Sequence, residues 1–404
     1  KKRKLKLVDN NSNIKTKTAH TTTIKKVASS PMRMTIKKRK KRKLKLVDNN
    51  SNIKTKTAHT TTMEKTRLNE GFISVLDELA AIMTRQGEMF RAKAYRNASE
   101  AITIYNYDIA DPDKLLGVKN IGKTIMAKLK EYVKTGTLEI LERERNNPIN
   151  VLTKVYGIGP KKAKEFISKG ITTIEDLKEN EDLLTTNMRL GVKYFDDIEA
   201  RIPREEIDEY KKILTDIFRG ATPDGSSMEI VGSYRRGAKT SGDIDIVLTN
   251  SDNNNKILGL FLDSLVENNI VIEILSKGKI KSLTIGKIPG KRPRRLDFMY
   301  SPPDQYAFAT LYFTGSRAFN TVQRQRALDM GYTLNEHSFH HKKDGDKGAK
   351  LDENFPTEQS IFEFLKMEYR EPHERIDGRS VKLIATPKEP TPKEPTPKEP
   401  TPKE

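Results

Sequence analysis

Residues 232–248 read Gly232-Ser-Tyr-Arg-Arg-Gly-Ala-Lys-Thr-Ser-Gly-Asp-Ile-Asp-Ile-Val-Leu248, and the alternation at the end of this stretch governs the reading of the whole chain. In an extended strand, side chains two apart share a face, so Asp243 and Asp245 project together. Neighbouring carboxylates repel, and a protected pair stays ionised only if cations neutralise it. Hard oxygen ligands on one strand edge suit Mg²⁺, with Mn²⁺ as a substitute. A later strand, Arg295-Leu-Asp297-Phe-Met299, can carry a third carboxylate to the same edge. Three Asp and a triphosphate would hold two such ions roughly 3.5–4 Å apart. Gly232 and Ser233 open a turn whose N–H and hydroxyl groups can hold phosphate, and Arg236 adds charge. A lone Asp-x-Asp is most often solvated surface. The whole string followed by an apolar-Asp-apolar strand is the nucleotidyltransferase pattern.

Around this stretch, EIVGSY, DIDIVL, IVIEIL, KSLTIGKI and RRLDFMY read as short strands. Before it the periodicity is helical. Phe72, Val75, Leu76, Leu79, Ile82 and Met83 recur at helical spacing, short helices continue to about residue 145, and a second helical stretch covers 151–218. After it, helices are expected over Asp304–Phe313, Ala318–Met330 and Ser360–Met367. The chain therefore passes from all-α to mixed α+β near residue 220.

Two stretches in the helical part share a form: Gly117-Val-Lys-Asn-Ile-Gly122 before KTIMAKLKEY, and Val155-Tyr-Gly157-Ile-Gly159-Pro before KKAKEF. Each is a glycine-containing turn feeding a helix N-terminus. Free N–H groups and the positive end of the helix dipole suit a phosphate, and Lys123, Lys161 and Lys162 add charge. A single copy is as well explained by a helix cap. Two in succession resemble paired helix-hairpin-helix motifs, which hold a DNA backbone without reading bases.

The net charge of +20 points to a polyanionic partner, but its distribution is uneven. Residues 1–62 hold 20 Lys or Arg against Asp9 and Asp48, and the TPKE repeats of 386–404 balance four Lys with four Glu. The body is thus nearly neutral and must bind nucleic acid through local patches. KKRKLKLVDNNSNIKTKTAHTTT occurs at 1–23 and again at 40–62. Its few apolar residues cannot build a core, so a duplicated, disordered basic arm is expected, serving DNA binding, nuclear import or solubility. The proline-punctuated TPKE tail reads as an extended spacer. With no Cys, a disulfide framework, a thiol nucleophile and a Cys-based zinc site are excluded. No run approaches the roughly 18–20 apolar residues of a membrane span, so a soluble, non-secreted protein is expected.

GIGPKKAKEF, YFDDIEARIPREE, VGSYRRGAKTSGDIDIVLT, LYFTGSRAFN and KMEYREP resemble the family X DNA polymerases, most of all the DNA polymerase beta type, over roughly residues 68–373. The resemblance implies four parts, and the arm and tail, which have no counterpart in the family, make an α+β chain of six. These are the arm (1–62), a helical 5′-deoxyribose-phosphate lyase-like domain with a helix-hairpin-helix (63–148), a helical thumb-type subdomain with the second hairpin (149–220), a nucleotidyltransferase palm (221–300), a small fingers-type nucleotide-selection subdomain (301–385) and the tail (386–404). It implies Asp243, Asp245 and Asp297 as catalytic metal ligands, and Arg204, Ser233, Arg236 and Gly242 around the triphosphate. Tyr312, Phe313 and Gly315 would line the sugar side, Asn320 would face the base, and Arg324 would reach the template.

In the lyase-like domain Lys128 matches the Schiff-base lysine, where Lys123 and Lys130 as neighbouring cations favour a free amine. Arg91 and Tyr95 match the 5′-phosphate side. Gly122, Lys123, Gly157, Gly159, Lys161 and Arg295 would contact DNA. The carbonyls of Leu116, Val118 and Ile121, and of Thr153, Val155 and Ile158, match sites for a monovalent cation, Na⁺ or K⁺. The partners implied are gapped or nicked DNA and dNTPs, with the protein a monomer in the nucleus or, for a virus, in a viral factory or virion.

Departures from the beta type are Phe90 for a His and Thr124 for a phosphate-binding Lys, which bear on the lyase. Met299 for an Arg, Arg317 for an Asp and His337 for a Tyr bear on closure and fidelity. Two other functions compete: a template-independent terminal nucleotidyltransferase, which needs neither paired hairpins nor a lyase lysine, and a non-catalytic DNA-end binding protein.

Overall fold

The computed structural model describes residues 67–343 and 346–384. The basic arm and the TPKE tail lie outside the described residues. Of the described part, residues 67–141 build a helical unit from α1 (Asn69–Gln86), α2 (Met89–Thr103) and α3 (Lys123–Thr135). The apolar spacing seen in the sequence is its core: Phe72, Leu76, Leu79 and Met83 of α1 are all at most 1% exposed. A second buried cluster, from Ile149 to Val192, surrounds α4 (Pro160–Ser168).

The helix α5 (Arg204–Ala221) leads into the palm. Its Ile207, Tyr210, Leu214 and Phe218 fall three or four apart and are buried against a five-stranded sheet. The strands are β1 (Ser226–Ile230), β2 (Ile244–Asn250), β3 (Val271–Lys277), β4 (Lys281–Gly286) and β5 (Arg294–Tyr300), in spatial order β1-β2-β5-β4-β3. The helix α6 (Lys256–Glu267) lies in the crossover and covers the same face. Phe218, Phe261 and Phe298 stack edge to face through this layer, with centroids 5.1 and 5.6 Å apart. Burial of each such ring is worth about 1.5–3 kcal/mol. The other six residues of β2 are buried, so Asp245 is a half-buried carboxylate on an otherwise buried inner strand.

The sequence expectation of a strand through EIVGSY needs correction. The strand ends at Ile230, and Gly232–Arg235 form a helical turn. The C-terminal part holds α7 (Tyr306–Thr314), α8 (Arg317–Asp329) and α9 (Glu358–Phe364), packed on a three-stranded sheet of β6 (Tyr332–Leu334), β7 (Phe339–Lys343) and β8 (Asp346–Lys350). The expected helix to Met367 stops short, because Lys366 turns to φ 54°. The small sheet escaped the sequence reading: its three-residue first strand and its HHKK segment offer no apolar alternation.

The first helical unit and the C-terminal part touch. Asp77 of α1 pairs with Arg317 at 2.5 Å, and Glu70, seven residues earlier on the same helix, lies 3.9 Å from Arg379. Arg317, which by resemblance replaces an Asp beside the base, thus engages a carboxylate of another subdomain.

Candidate active site

The geometry of the carboxylates begins with the register of two strands. β2 and β5 run parallel, and Asp245 stands opposite Asp297. Asp243 lies one residue before β2 on the same parity. One oxygen from each of Asp243, Asp245 and Asp297 lies within 4.8 Å of the others. It is the one such group of three acidic or metal-ligating side chains among the described residues. The donors are all carboxylate oxygens, the set that fits a hard divalent cation.

The electrostatics support that fit. Burial raises the pKa of Asp245 to about 7, with the charges of Asp243 and Asp297 adding to the effect. Burial and then Asp297 also push Asp243 up. The cluster thus carries more negative charge than the protein alone can hold. A stability consequence follows. The folded protein keeps a proton on Asp245 that the unfolded chain, at the ordinary value of 3.8, has released. Stability from this group is fully present below pH 4 and is lost as pH rises through about 7. In chelator, Asp245→Asn should therefore flatten the pH dependence between 4 and 7. It should leave the variant the more stable form at pH 8, by ~1–4 kcal/mol. Urea unfolding at several pH values checks this, and parallel curves for the two proteins would refute it.

Two cations already serve the cluster. Arg295 forks onto Asp297, with Nε donating to Oδ1 at 2.9 Å and Nη2 to Oδ2 at 2.8 Å. Lys281 of β4 reaches within 3.9 Å of Asp297. Arg295, expected on the DNA, is here a partner of one carboxylate of the cluster, while also lining a cavity of about 420 Å³ beside the second hairpin. Sequence reasoning missed Lys281. It was one of several lysines on a β-hairpin, and only the pairing of β4 with β5 brings it to the carboxylates.

The turn after β1 faces the same place. Gly232 has φ 67°, and a Cβ there would come 3.1 Å from Asp245 Oδ2, so only glycine lets the turn pass this close. Ser233 Oγ lies 2.8 Å from Ser241 Oγ. Arg204 donates from Nη1 to the Tyr234 carbonyl at 2.7 Å and stacks on the Tyr234 ring. Arg236 donates to the Thr314 carbonyl at 2.5 Å, and burial lowers its pKa, so an anion beside it would relieve the cost of its charge. Gly242 is exposed, next to Arg201.

Adjacent Arg235 points the other way. It forks onto Glu358 of α9 at 3.0 and 2.8 Å and bonds Thr314 Oγ1. Fully buried Arg375 takes the same carboxylate at 2.6 Å. Burial opposes the charge of Glu358, but the two guanidiniums outweigh it and hold its pKa below the ordinary range. This triad ties the phosphate-side turn to the C-terminal part. Nothing in the local string tells Arg235 from Arg236.

From that C-terminal part, Phe313 lines a small cavity with Asp245, Asp297, Lys281 and Met299. Tyr312 packs edge to face on Phe313 at 5.0 Å, and the backbone of Gly315 comes near Arg236. Asn320 is buried, and its Nδ2 donates to the Tyr312 carbonyl at 2.7 Å. Arg324 lines a cavity of about 730 Å³ between α2, the first hairpin and α8. His337 Nδ1 lies 2.8 Å from Gln305 Oε1.

The two hairpins are built alike. Gly122 and Gly159 cap α3 and α4 with nearly the same backbone angles and with no side-chain cap bond. Val118 N and Ile121 N donate to Leu115 and Val118 carbonyls, and Val155 N and Ile158 N to Leu152 and Val155 carbonyls, all at 3.1 Å. Leu116, Val118 and Ile121 thus superpose in pattern on Thr153, Val155 and Ile158. Gly157 at φ 87° packs against the Met188 backbone. Lys123 and Lys161 are exposed, whereas Lys162 pairs with Glu165.

Lys128 is half-buried on α3, and Lys130 is paired with Asp113 at 2.6 Å. Arg91 is exposed, Phe90 is 92% exposed, and Tyr95 is packed in the core of the unit.

Known proteins share these parts. Profiles described as a helix-hairpin-helix domain, the fingers domain of DNA polymerase lambda, the DNA polymerase beta palm and the DNA polymerase beta thumb match residues 67–138, 150–199, 201–303 and 309–376. The matching profiles carry the name fingers over 150–199 and thumb over 309–376, where the sequence reading used thumb-type and fingers-type. DNA polymerase lambda of Arabidopsis thaliana is 34% identical over 330 residues, covering 76% of this chain and 62% of the relative. That of Rattus norvegicus is 30% identical, covering 77% and 56%. The type-X family protein pol4 of Schizosaccharomyces pombe is 25% identical, covering 77% and 65%. The chain spans about three-fifths of the length of these curated relatives. With its carboxylate strands, glycine turn and paired hairpins matched in order along one sequence, the chain belongs to DNA polymerase family X.

Proposed function

We propose that this protein is a template-directed DNA polymerase that fills short gaps in base excision repair, with a 5′-deoxyribose-phosphate lyase activity at Lys128. The observation that carries the polymerase reading is the convergence of Asp243, Asp245 and Asp297 within 4.8 Å beside a glycine turn. These three would hold two Mg²⁺ ions, which would acidify the primer 3′-hydroxyl and neutralise the departing pyrophosphate. Ser233, Arg204 and Arg236 would bind the triphosphate, and Gly242 would let it approach the backbone. Tyr312, Phe313 and Gly315 would crowd the sugar and favour dNTPs. Before Asp297 can act, the Arg295 fork has to open, and the phosphate backbone of arriving DNA is its natural alternative partner. Gly122 and Lys123 on one strand, and Gly157, Gly159 and Lys161 on the other, would grip phosphates. The matched hairpin carbonyls would share a monovalent cation in each grip.

Extension of a one-nucleotide-gapped duplex, beside the same primer without template, tests the reading. The expected result is addition of one complementary nucleotide, with little incorporation on the untemplated strand. Equal extension of both would support a terminal transferase instead, and none would leave a DNA-end binding protein.

A further inference from the structure

We propose that Gln323 is a positioning residue that locks the amide of Asn320 in the orientation needed to meet the minor-groove edge of the incoming base. The inference rests on the reading of Asn320 as the base-facing residue. Both side chains lie on α8 one turn apart, and both line the same cavity, of about 10 Å³, with Tyr312, Arg324 and Leu334. Asn320 is 7% and Gln323 2% exposed. Asn320 Oδ1 and Gln323 Nε2 are each buried without a protein partner. One is an acceptor and the other a donor, so each is the complement the other lacks. The two atoms are not bonded directly, and the cavity that both residues line is at the size of a single water, which would satisfy both.

The chemistry gives this link a role. An asparagine amide is nearly symmetric in shape, so its partners decide which end is nitrogen. The bond from Nδ2 to the Tyr312 carbonyl uses one of two N–H groups. The second remains for an acceptor, and purine N3 and pyrimidine O2 are the acceptors that every base presents in the minor groove. A flipped amide would set Oδ1 against those acceptors and repel a correctly paired base. With a donor at Gln323, the flipped state faces nitrogen with nitrogen and is disfavoured. An apolar side chain at 323 leaves the flip opposed by the Tyr312 carbonyl alone, which takes only one N–H group. The buried donor thus selects the amide state that accepts any correctly paired base.

Single-nucleotide gap filling with dATP and with its 3-deaza analogue, which lacks the N3 acceptor, tests this. The full chain is used, with gapped-DNA affinity and melting temperature as controls. Wild type should show a KM about tenfold higher for the analogue. In Gln323→Met, and in Gln323→Leu as a second variant of similar volume, the two KM values should converge by a rise in that for dATP, with kcat changed less than about twofold. Asn320→Ala should converge in the same way, and Gln323→Met should add nothing in that background. A Gln323 variant that folds, binds DNA and keeps the full ratio overturns the inference. A wild type that does not distinguish the two nucleotides overturns the reading of Asn320 itself, and the inference with it.

Discussion

Asp297→Ala should lower single-turnover gap filling by at least about 10³-fold while leaving the affinity for gapped DNA within about twofold. Asp297 is 6% exposed on β5, opposite Asp245, and its oxygens complete the three-carboxylate cluster. Without it, two carboxylates remain, and on the proposed reading the ion that would activate the primer hydroxyl loses a ligand. A factor of 10³ corresponds to about 4 kcal/mol of barrier, within the several kcal/mol expected from metal-assisted activation of a nucleophile. The substitution also frees the guanidinium of Arg295, which is now forked onto Asp297. On the proposed reading the freed guanidinium would be open to a DNA phosphate and should maintain or slightly tighten DNA binding, so loss of chemistry and loss of binding should separate cleanly. The measurement is rapid-quench extension at saturating gapped DNA, with circular dichroism to confirm folding. A variant that keeps more than about a tenth of the wild-type rate would remove Asp297 from the catalytic set.

Lys128→Ala should abolish the borohydride-trapped adduct with a 5′-deoxyribose-phosphate end and leave gap filling on a 5′-phosphate end within about twofold. The ε-amine would add to the C1′ aldehyde and lose water to form the imine. Removal of a C2′ proton then breaks the C3′–O bond and releases the DNA 5′-phosphate. Lys128 sits half-buried on α3, five residues past Lys123 at the helix start. Asp113 takes up Lys130, so the local positive charge falls mainly on Lys123 and Lys128. Its helix packs in a core separate from that of the palm, which is why the two activities should part. Undiminished trapping in Lys128→Ala, or none in the wild type, would defeat the assignment. Phe90 is 92% exposed and Thr124 offers no charge, so the wild-type lyase is expected to work with fewer phosphate contacts than the beta type.

Much of this was legible before any coordinates because local sequence rules bear on it directly. The spacing of Phe72, Leu76, Leu79 and Met83 fixes a buried helix face, and alternation in DIDIVL fixes which side of a strand the carboxylates share. Glycines at 117 and 157 announce two hairpins because the turns take positive φ there, and Gly122 and Gly159 mark the helix starts that follow. The strand assigned to EIVGSY overran because Val231 continues the apolar pattern past Ile230. The chain must instead turn at Gly232 to clear Asp245, a constraint set by a strand beyond the turn.

The sequence by itself determined the resemblance to the family through its motif strings, and with it the order of the parts, the three carboxylates and the two hairpins, because several short motifs agree although each alone has a plainer reading. Tertiary structure alone decided which cation meets which anion. Lys281 went to Asp297 because β4 and β5 pair in one register, where Arg295 already shares the β5 face of that carboxylate two residues away. Arg235 went to Glu358 while Arg236 went to the Thr314 carbonyl, and Arg317 went to Asp77 across 240 positions. The reason is that a guanidinium at the end of a flexible stem carries no preference for a partner in its own sequence. Burial, strand register and the approach of distant helices select the carboxylate that it can reach.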